Sequence, residues 1–192
     1  MSEHLQETEV SSEVVFHGKF IKIRRDQARV PDGGVHAREY VVHPGAAAMV
    51  PLFDDGRILV ERQFRYPLRQ VFTEIPAGKL DAGETSLQTA RRELVEETGY
   101  RAEQWALLTR IHPAIGFADE FIDIFLCREL TQVGRCLDAG EFMDIELVTL
   151  GWLMDELRAG RLTDVKTQIA VQWLERMHSG QWEWPEFGQA PP

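Results

Sequence analysis

The sequence is poor in cysteine, and its two cysteines, Cys127 and Cys136, do not form a CxxC pair. This spacing argues against a zinc or redox motif and predicts two reduced thiols, one in a strand and one in a loop. The chain also lacks any stretch near the roughly 18–20 uncharged apolar residues that a membrane span requires. Its first twelve residues lack the basic and apolar regions of a signal peptide. These absences predict a cytoplasmic protein with no membrane contact.

Positive charge is scarce as well, because 21 lysines and arginines face 31 acidic residues and the formal net charge is −10 at pH 7. An acidic chain repels the phosphates of DNA and RNA, so we expect no nucleic-acid partner. A small anionic substrate is still compatible if bound metal or a few arginines supply local positive charge. With 192 residues, 44% of them apolar, the chain can form one domain with an ordinary core.

Apolar runs and turn signals predict an α/β protein with a mixed sheet flanked by helices. The turn sequence Pro31-Asp32-Gly33-Gly34 between two strand-like runs predicts a small antiparallel β subdomain near the N-terminus. The expected organisation is a flexible tail at residues 1–12, this β subdomain at 13–45, the main domain at 46–180 and a C-terminal tail at 181–192.

Within the main domain, residues 46–53 and 57–64 are expected to pair as a hairpin. A helix is expected at residues 86–98 because apolar residues recur there at helical spacing. Two later helices are expected to begin after the capping residues Thr149 and Thr163.

Three glutamates cluster near the end of the expected helix 86–98. Glu93 and Glu97 are four residues apart, which places them on one helix face, and Glu96 flanks that face. Like charges at this spacing cost about a few tenths of a kcal/mol per pair, and the helix dipole disfavours anions near the C-terminus. A divalent cation offsets both costs, because hard cations prefer clustered carboxylate oxygens. The alternative is an ordinary solvated acidic face.

The glutamates belong to a longer pattern. Gly78 is followed by five residues, Glu84, seven residues and then Arg-Glu-apolar-x-Glu-Glu-x-Gly, which ends at Gly99. The glycines permit a tight loop before the helix, and Arg92 can offset part of the negative charge with Glu84 as its partner. The spacing resembles the Nudix box and matches it at every fixed position. Tyr100 in the final apolar place is a mild departure.

Segments outside the box extend the resemblance from Val14 to about Leu174, and they are similar to the ADP-ribose pyrophosphatase branch of the Nudix family. The supporting segments are Gly18-Lys19-Phe20, Arg38-Glu39-Tyr40, His43-Pro44-Gly45-Ala46, Gln63-Phe64-Arg65, Glu74-Ile75-Pro76-Ala77-Gly78 and Gly140-Glu141-Phe142. The resemblance implies a Nudix α/β/α sandwich with a mixed sheet, preceded by the small N-terminal antiparallel β subdomain. It also implies a homodimer in which the N-terminal hairpins exchange between two subunits.

The resemblance implies Mg²⁺ as cofactor, with Mn²⁺ as a substitute. In relatives of this branch, metal ions bind the box carboxylates and the backbone carbonyl that precedes the box glycine. Glu84 would orient the helix. Magnesium prefers octahedral oxygen ligands, and ions that bridge a diphosphate neutralise it and polarise phosphorus. The expected metal ligands are Ala77, Glu93, Glu96, Glu97 and Glu141.

A glutamate outside the box is expected to activate water. In similar enzymes this residue lies on a loop after the main strands, and the matching position here is Glu141. Glu146 and Asp144 are nearby rivals for the role. With Glu93 and Glu97, Glu141 completes the expected catalytic set, and its alternative is an ordinary loop carboxylate.

The resemblance also implies four contacts to substrate. Arg65 matches an arginine that relatives use against phosphate or ribose, and its planar fork suits phosphate oxygens. Phe20 matches an aromatic residue that stacks on adenine. Arg38 falls where some relatives carry a second aromatic residue, so a cation–π stack would replace a sandwich. Glu39 would meet the adenine amino group. Strand packing or solvent exposure is the alternative at these positions.

The resemblance implies hydrolysis of a nucleoside diphosphate linked to another moiety, and the main hypothesis is ADP-ribose cleaved to AMP and ribose 5-phosphate. Relatives that act on ADP-ribose carry a proline about sixteen residues past the last box glycine. That position holds Ile115 here, and Pro113 comes two residues earlier. Another nucleoside-diphosphate sugar or a dinucleoside polyphosphate is therefore an alternative substrate. A non-catalytic nucleotide-sugar sensor is the alternative of another class, and the intact box carboxylates disfavour it.

Overall fold

The computed structural model describes residues 3–137 and 140–189, which divide into two compact units. The N-terminal unit contains residues 3–45 together with His112–Phe121, and the main unit contains Ala46–Ile111 together with residues 122–137 and 140–189. The expected domain bounds stay a prediction. The addition of His112–Phe121 to the N-terminal unit was not expected.

The N-terminal unit is an antiparallel sheet of three strands in the order β1-β2-β3, preceded by a 3₁₀ turn at Glu3–Leu5. The strands are β1 (Thr8–His17), β2 (Lys22–Arg29) and β3 (Val35–Val42). The assignment of residues 1–12 to a flexible tail is therefore wrong from Thr8 onward, because the backbone of β1 pairs with β2 along its length. The start of β1 is hard to recognise in the sequence, because its polar side chains are exposed and do not alternate with buried apolar ones.

The main unit contains eight strands, three α-helices and a π turn, and it can be given in chain order. It consists of β4 (Ala46–Pro51), β5 (Arg57–Arg65), β6 (Gln70–Glu74), β7 (Ala77–Lys79), α1 (Ser86–Glu93), the π turn (Leu94–Thr98), β8 (Tyr100–Ile111), β9 (Ile122–Gln132), β10 (Met143–Thr149), α2 (Leu150–Arg158), α3 (Val165–His178) and β11 (Gly188–Gln189). Among the described residues, none of the helices has the length and apolar character needed to cross a membrane.

Two sheets form the middle of this unit. One has five strands in the order β11-β8-β9-β4-β7 and is mixed, because β4 and β9 run parallel while the other pairs are antiparallel. The other is antiparallel, in the order β10-β5-β6. The expected hairpin between residues 46–53 and 57–64 is confined to its turn, where Leu52 and Ile58 form one antiparallel bridge. All six residues of β4 are buried between its neighbours β7 and β9, and the turn after β4 redirects the chain into the second sheet.

Alternate residues of β4 pack on opposite layers, as the period of two in a strand requires. Ala47 and Met49 contact α1, whereas Ala48 and Val50 belong to a larger core shared with β5, α2 and α3. Helices therefore cover both faces of the five-stranded sheet, which confirms the expected α/β/α sandwich.

Of the two capping residues expected from the sequence, Thr149 is confirmed and Thr163 is wrong. Thr85 and Gln88 form a capping box at α1, and the Thr149 hydroxyl accepts a hydrogen bond from Trp152 N at 3.1 Å. The third cap is Asp164 instead of Thr163, because a carboxylate oxygen of Asp164 accepts from Thr167 N at 3.0 Å.

Candidate active site

The motif Gly78–Tyr100 lies on β7, the following loop, α1 and the π turn. The expected single helix at residues 86–98 is thus two pieces, because the backbone widens into the π turn from Leu94. Single π turns are frequent at functional sites. The segment ends at Gly99, whose φ of 76° lies in the left-handed region that favours glycine. A Cβ there would lie only 2.9 Å from the backbone nitrogen of Arg135, so the helix end is closely packed.

Arg92 connects the acidic side chains of the motif. Its Nε and Nη2 donate to the two carboxylate oxygens of Glu84 at 3.0 and 2.9 Å. Its Nη1 donates to Glu93 at 2.8 Å and to Glu96 at 2.9 Å. These charge-assisted bonds lower the pKa of Glu84 to about 2 and confirm the expected pairing of Arg92 with Glu84. One guanidinium therefore fixes the loop to the helix.

Gly78 lies directly beneath the carboxyl group of Glu93. A Cβ placed on Gly78 would lie 1.9 Å from the carboxyl carbon and from Oε1 of Glu93. Only a residue without a side chain leaves this space. The neighbouring Ala77 N donates to a carboxylate oxygen of Glu97 at 3.2 Å. The strand before the loop therefore positions two of the motif glutamates.

Negative charge concentrates around Glu97. This side chain is buried, with 6% of the residue exposed. Burial, followed by the charges of Glu61, Glu93 and Glu141, raises the pKa of Glu97 to about 9. The pKa of Glu93 is also raised, first by burial and then by the charges of Glu96 and Glu141, although Arg92 opposes the shift. The site is therefore a buried cluster of carboxylates with an excess of negative charge.

The donor set of this cluster fits a hard divalent cation. Carboxylate oxygens are the ligands such ions prefer, and buried like charges favour a bound cation. Within residues 3–137 and 140–189, however, no three acidic, histidine or cysteine side chains already converge in a metal-holding group. Glu93 and Glu96 are engaged by Arg92 in this conformation. The expected ligands Ala77, Glu93, Glu96, Glu97 and Glu141 therefore stay a prediction.

Glu141 lies in the loop before β10 and is partly buried. Its charge raises the pKa of both Glu93 and Glu97, which places it near the cluster. Its rivals lie on β10. Glu146 contacts Arg62 at 3.4 Å, and Asp144 is exposed. Of these three carboxylates, Glu141 is the one among the main influences on the pKa of Glu93 and Glu97, and it stays the predicted base.

Arg65 at the end of β5 is held by an acidic partner. Its Nε and Nη2 each donate to a carboxylate oxygen of Glu74 at 2.7 Å. Glu74 is buried and also contacts Lys166 of α3, which lies 3.0 Å from Asp164. The side chain of Arg65 is 44% exposed, and the charge of Glu97 raises its pKa after the stronger effect of Glu74. Arg65 is thus held in a fixed position by Glu74 and lies within electrostatic range of Glu97.

Phe20, Arg38 and Glu39, the expected adenine contacts, lie in the N-terminal unit. Phe20 precedes β2 and is 70% exposed. Arg38 and Glu39 are neighbours on β3, so their side chains point to opposite faces of the sheet. Arg38 forms a two-point ion pair with Glu7 at 2.7 and 2.9 Å, and Glu39 accepts from Arg25 at 2.8 Å. One adenine ring could meet only one of them from a single face.

Pro113 and Ile115, the positions that bear on the expected substrate, also lie in the N-terminal unit. They belong to a turn in which Ala114 O accepts from Phe117 N at 3.0 Å and from Ala118 N at 2.9 Å. Ile115 is 85% exposed.

Sequence reasoning missed three buried charged residues near the cluster. Glu61 ends the buried run of β5, Glu74 lies opposite Glu61 on β6, and Lys166 lies in the first turn of α3. The signal that could have been used is the charge of these three residues, because Lys and Glu are almost never fully buried unless they are paired.

Comparison with family models gives two matches. The model of the NUDIX domain matches residues 42–169. A second model, described as the nucleoside diphosphate sugar hydrolase N-terminal domain, matches residues 7–41. Together the two models match residues 7–169 without a gap.

Several characterised proteins are similar over most of their length. The ADP-ribose pyrophosphatase of Bacillus subtilis (strain 168) is 40% identical over 173 residues, which cover 89% of this chain and 94% of that protein. The methanol dehydrogenase activator of Bacillus methanolicus is 38% identical over 177 residues, 91% of this chain and 96% of the other. The ADP-ribose pyrophosphatase of Mycobacterium tuberculosis is 38% identical over 182 residues, 93% and 86% of the two chains.

A solved structure described as an ADP compounds hydrolase has the same fold, with a TM-score of 0.81. It is 19% identical and is matched over 95% of this chain and 100% of its own. The motif Gly78–Tyr100, the α/β/α sandwich that carries it and the match of the NUDIX model across two thirds of the sequence lead to one assignment: this chain belongs to the Nudix family.

Proposed function

We propose that this chain is a Nudix pyrophosphatase that hydrolyses ADP-ribose to AMP and ribose 5-phosphate with Mg²⁺ as cofactor. The observation that carries the proposal is the Nudix motif itself, in which Glu97 is buried and Glu93 lies against Gly78, so that negative charge suited to a divalent cation is concentrated beside the loop. The names of the relatives from Bacillus subtilis and Mycobacterium tuberculosis support ADP-ribose as the substrate.

The residues of the cluster would have different roles. Glu93 and Glu97, with Glu96 and the Ala77 carbonyl, would hold the cation, which neutralises the diphosphate when bound. Glu141 would take a proton from the attacking water, while the new P–O bond forms and the bridging P–O bond breaks. Positioning and charge neutralisation supply most of the acceleration in phosphoryl transfer.

Arg65 would contact a phosphate or ribose oxygen of the substrate. Glu74 occupies two donors of its guanidinium at 2.7 Å each, and a guanidinium has five donors. The remaining donors are available to a phosphate, and the bidentate pair fixes their direction. This arrangement favours a binding role for Arg65 over a purely structural one.

The test is a substrate panel of ADP-ribose, ADP-glucose, GDP-mannose, NADH and diadenosine polyphosphates, each with Mg²⁺ and with EDTA. We expect Mg²⁺-dependent cleavage with the highest kcat/KM for ADP-ribose. A higher kcat/KM for another compound would replace ADP-ribose by that substrate. Tight ADP-ribose binding without turnover would instead indicate a sensor and contradict the proposal.

The role of Glu141 has its own test. Loss of a general base costs roughly 10²–10⁴-fold in rate, so Glu141→Gln should lower kcat by that factor. Near-full turnover with unchanged metal affinity would exclude Glu141. The same assay on Glu146→Gln and Asp144→Asn would then identify the base.

Similarity to the methanol dehydrogenase activator favours a second candidate function, activation of a dehydrogenase. The identity of 38% over most of both chains is close to that of the ADP-ribose pyrophosphatases. Addition of this protein to a methanol dehydrogenase should raise its rate if the function is shared. An unchanged rate, with ADP-ribose turnover intact, would exclude it.

We also propose a homodimer located in the cytoplasm. Apolar side chains are exposed along β1, at Val10, Val14 and Phe16, and contiguous apolar surface often marks an interface. Both cysteines are free thiols, which suits a reducing compartment. Light scattering at micromolar concentration tests the assembly, and a monomer mass would contradict it.

A further inference from the structure

Glu61, which lies outside the motif, is a buried carboxylate that needs a compensating group. Glu61 follows three buried apolar residues of β5, and only 4% of it is exposed. Its Oε1 is fully buried and, among the described residues, has no hydrogen-bond partner. A buried ionised carboxylate without a partner is strongly unfavourable, so this position calls for a compensating group.

The cations around Glu61 are already engaged by other groups. Glu61 lies directly opposite Glu74 across β5 and β6, on the same face of the sheet. Glu74 receives a two-point ion pair from Arg65 and a further contact from Lys166. Arg135 donates to the backbone carbonyl of Met143 at 3.0 Å. These cations attract Glu61 only at longer range, and burial still raises its pKa to about 7.

The remaining neighbour of Glu61 is the carboxylate cluster. After burial, the charge of Glu61 has the largest effect on the pKa of Glu97, ahead of Glu93 and Glu141. The backbone brings these residues together as well. Glu61 pairs with Glu74 across the sheet. Three residues after Glu74, Ala77 N donates to a carboxylate oxygen of Glu97 at 3.2 Å. Two buried carboxylates at short range repel each other when both are ionised, and a shared cation removes that repulsion.

We propose that Glu61 supplies a carboxylate oxygen to the divalent cation held by Glu97, as a ligand from outside the Nudix box. The inference rests on the proposed function, because it takes the cation site at Glu97 as given. It extends that site from α1 and the π turn to the three-stranded sheet. A shared cation would satisfy the buried Oε1 of Glu61 and reduce its repulsion with Glu97.

The rival role for Glu61 is structural, as an ionic partner of Lys166 and Arg135. The two roles predict opposite changes in the variant Glu61→Gln. If Glu61 is a cation ligand, the metal-free variant keeps its melting temperature or gains stability, and it binds metal more weakly. If Glu61 is only an ionic partner, the metal-free variant melts lower and binds metal as before.

The experiment measures Mn²⁺ binding by electron paramagnetic resonance of the free ion, together with the melting temperature of the metal-free protein by circular dichroism. We expect Glu61→Gln to raise the Mn²⁺ Kd at least fivefold. The control Glu103→Gln, at an exposed position of β8 paired with Arg101, should leave Kd unchanged. Should the glutamine variant fail to fold, Glu61→Met fills a similar volume without charge and gives the same readout.

The outcomes separate this inference from the proposed function. A Kd for Glu61→Gln within fivefold of the wild type overturns the role of Glu61 and leaves the metal site at Glu97 intact. A wild-type protein that binds no Mn²⁺ overturns the cation site and the inference together. A raised Kd without loss of metal-free stability supports Glu61 as a ligand.

Discussion

Replacement of Glu97 by glutamine should stabilise the metal-free protein at alkaline pH. Glu97 is buried, and its pKa is raised from the ordinary value of 4.5 to about 9 by burial and by the charges of Glu61, Glu93 and Glu141. Below pH 4.5 the carboxyl is protonated in the folded and unfolded states, so it has no effect on stability. Between pH 4.5 and 9 it is ionised mainly in the unfolded state, so stability falls as pH rises.

The size of the effect follows from the pKa shift. Each pKa unit corresponds to about 1.36 kcal/mol, so at pH 8 the upper limit is about 5 kcal/mol. Glutamine can still accept the hydrogen bond that Ala77 N donates to Glu97 at 3.2 Å. We expect Glu97→Gln to gain at least about 2 kcal/mol at pH 8, or about 4–8 °C in Tm for a protein of this size. At pH 5 the gain should shrink below about 1 kcal/mol.

The assay is thermal unfolding from pH 5 to 9 in EDTA, followed by circular dichroism. Glu103→Gln, at an exposed position of β8, is the control and should show no gain that depends on pH. Added Mg²⁺ at about 100 times Kd should stabilise the wild type by about 2.7 kcal/mol and the Glu97 variant much less. A variant less stable than the wild type at pH 8, or a gain equal at all pH values, would refute the reasoning.

Three further substitutions test the geometry of the site. Gly78→Ala should displace the Glu93 carboxyl, because the added Cβ would lie 1.9 Å from it. Misplacement by 1 Å can lower kcat/KM about 100-fold, and we expect a loss of that size. A wild-type kcat/KM would show that Glu93 tolerates movement. Gly99→Ala should lower Tm by about 4–8 °C, because φ is 76° and the Cβ would meet backbone at 2.9 Å; an unchanged Tm would contradict that strain. Arg65→Lys should raise KM with little loss of Tm, because a second cation still neutralises Glu74; an unaltered KM would remove Arg65 from the site.

Local features of the site could be predicted from the sequence. The start of α1 depends on Thr85 and Gln88, and the pairing of Arg92 with Glu84 joins a loop to the helix that directly follows it. These contacts connect residues fewer than ten positions apart, so spacing and charge suffice to infer them.

Contacts between distant segments could not be predicted. Residues 57–64 are expected beside residues 46–53, yet beyond the single bridge of Leu52 with Ile58 the strand β5 pairs with β6 and with β10, whose paired residues lie 80 to 92 positions away. Nothing in the apolar run of β5 distinguishes these partners. The ion pair between Glu74 and Lys166 spans 92 residues for the same reason.

The π turn could not be predicted from the sequence pattern either. Residues 86–98 have ordinary helical spacing, and the widening at Leu94 arises where the segment ends against the loop after β9. Glu96 O accepts from Cys136 N at 3.1 Å, and Gly99 O accepts from Val133 N at 2.8 Å. Tertiary hydrogen bonds of this kind override local helix propensity.

Arg92 sets the charge balance of the motif. In this structure Arg92 donates four hydrogen bonds to Glu84, Glu93 and Glu96, whereas among the described residues Glu97 has no arginine or lysine bonded to it and keeps a raised pKa. A divalent ion would therefore compete with Arg92 for Glu93 and Glu96 but not for Glu97. Glu97 would then anchor the ion, and release of Glu93 and Glu96 from Arg92 would complete the shell. Glu84 accepts hydrogen bonds from both Nε and Nη2 of Arg92. These two bonds would keep the loop attached to α1 during that exchange.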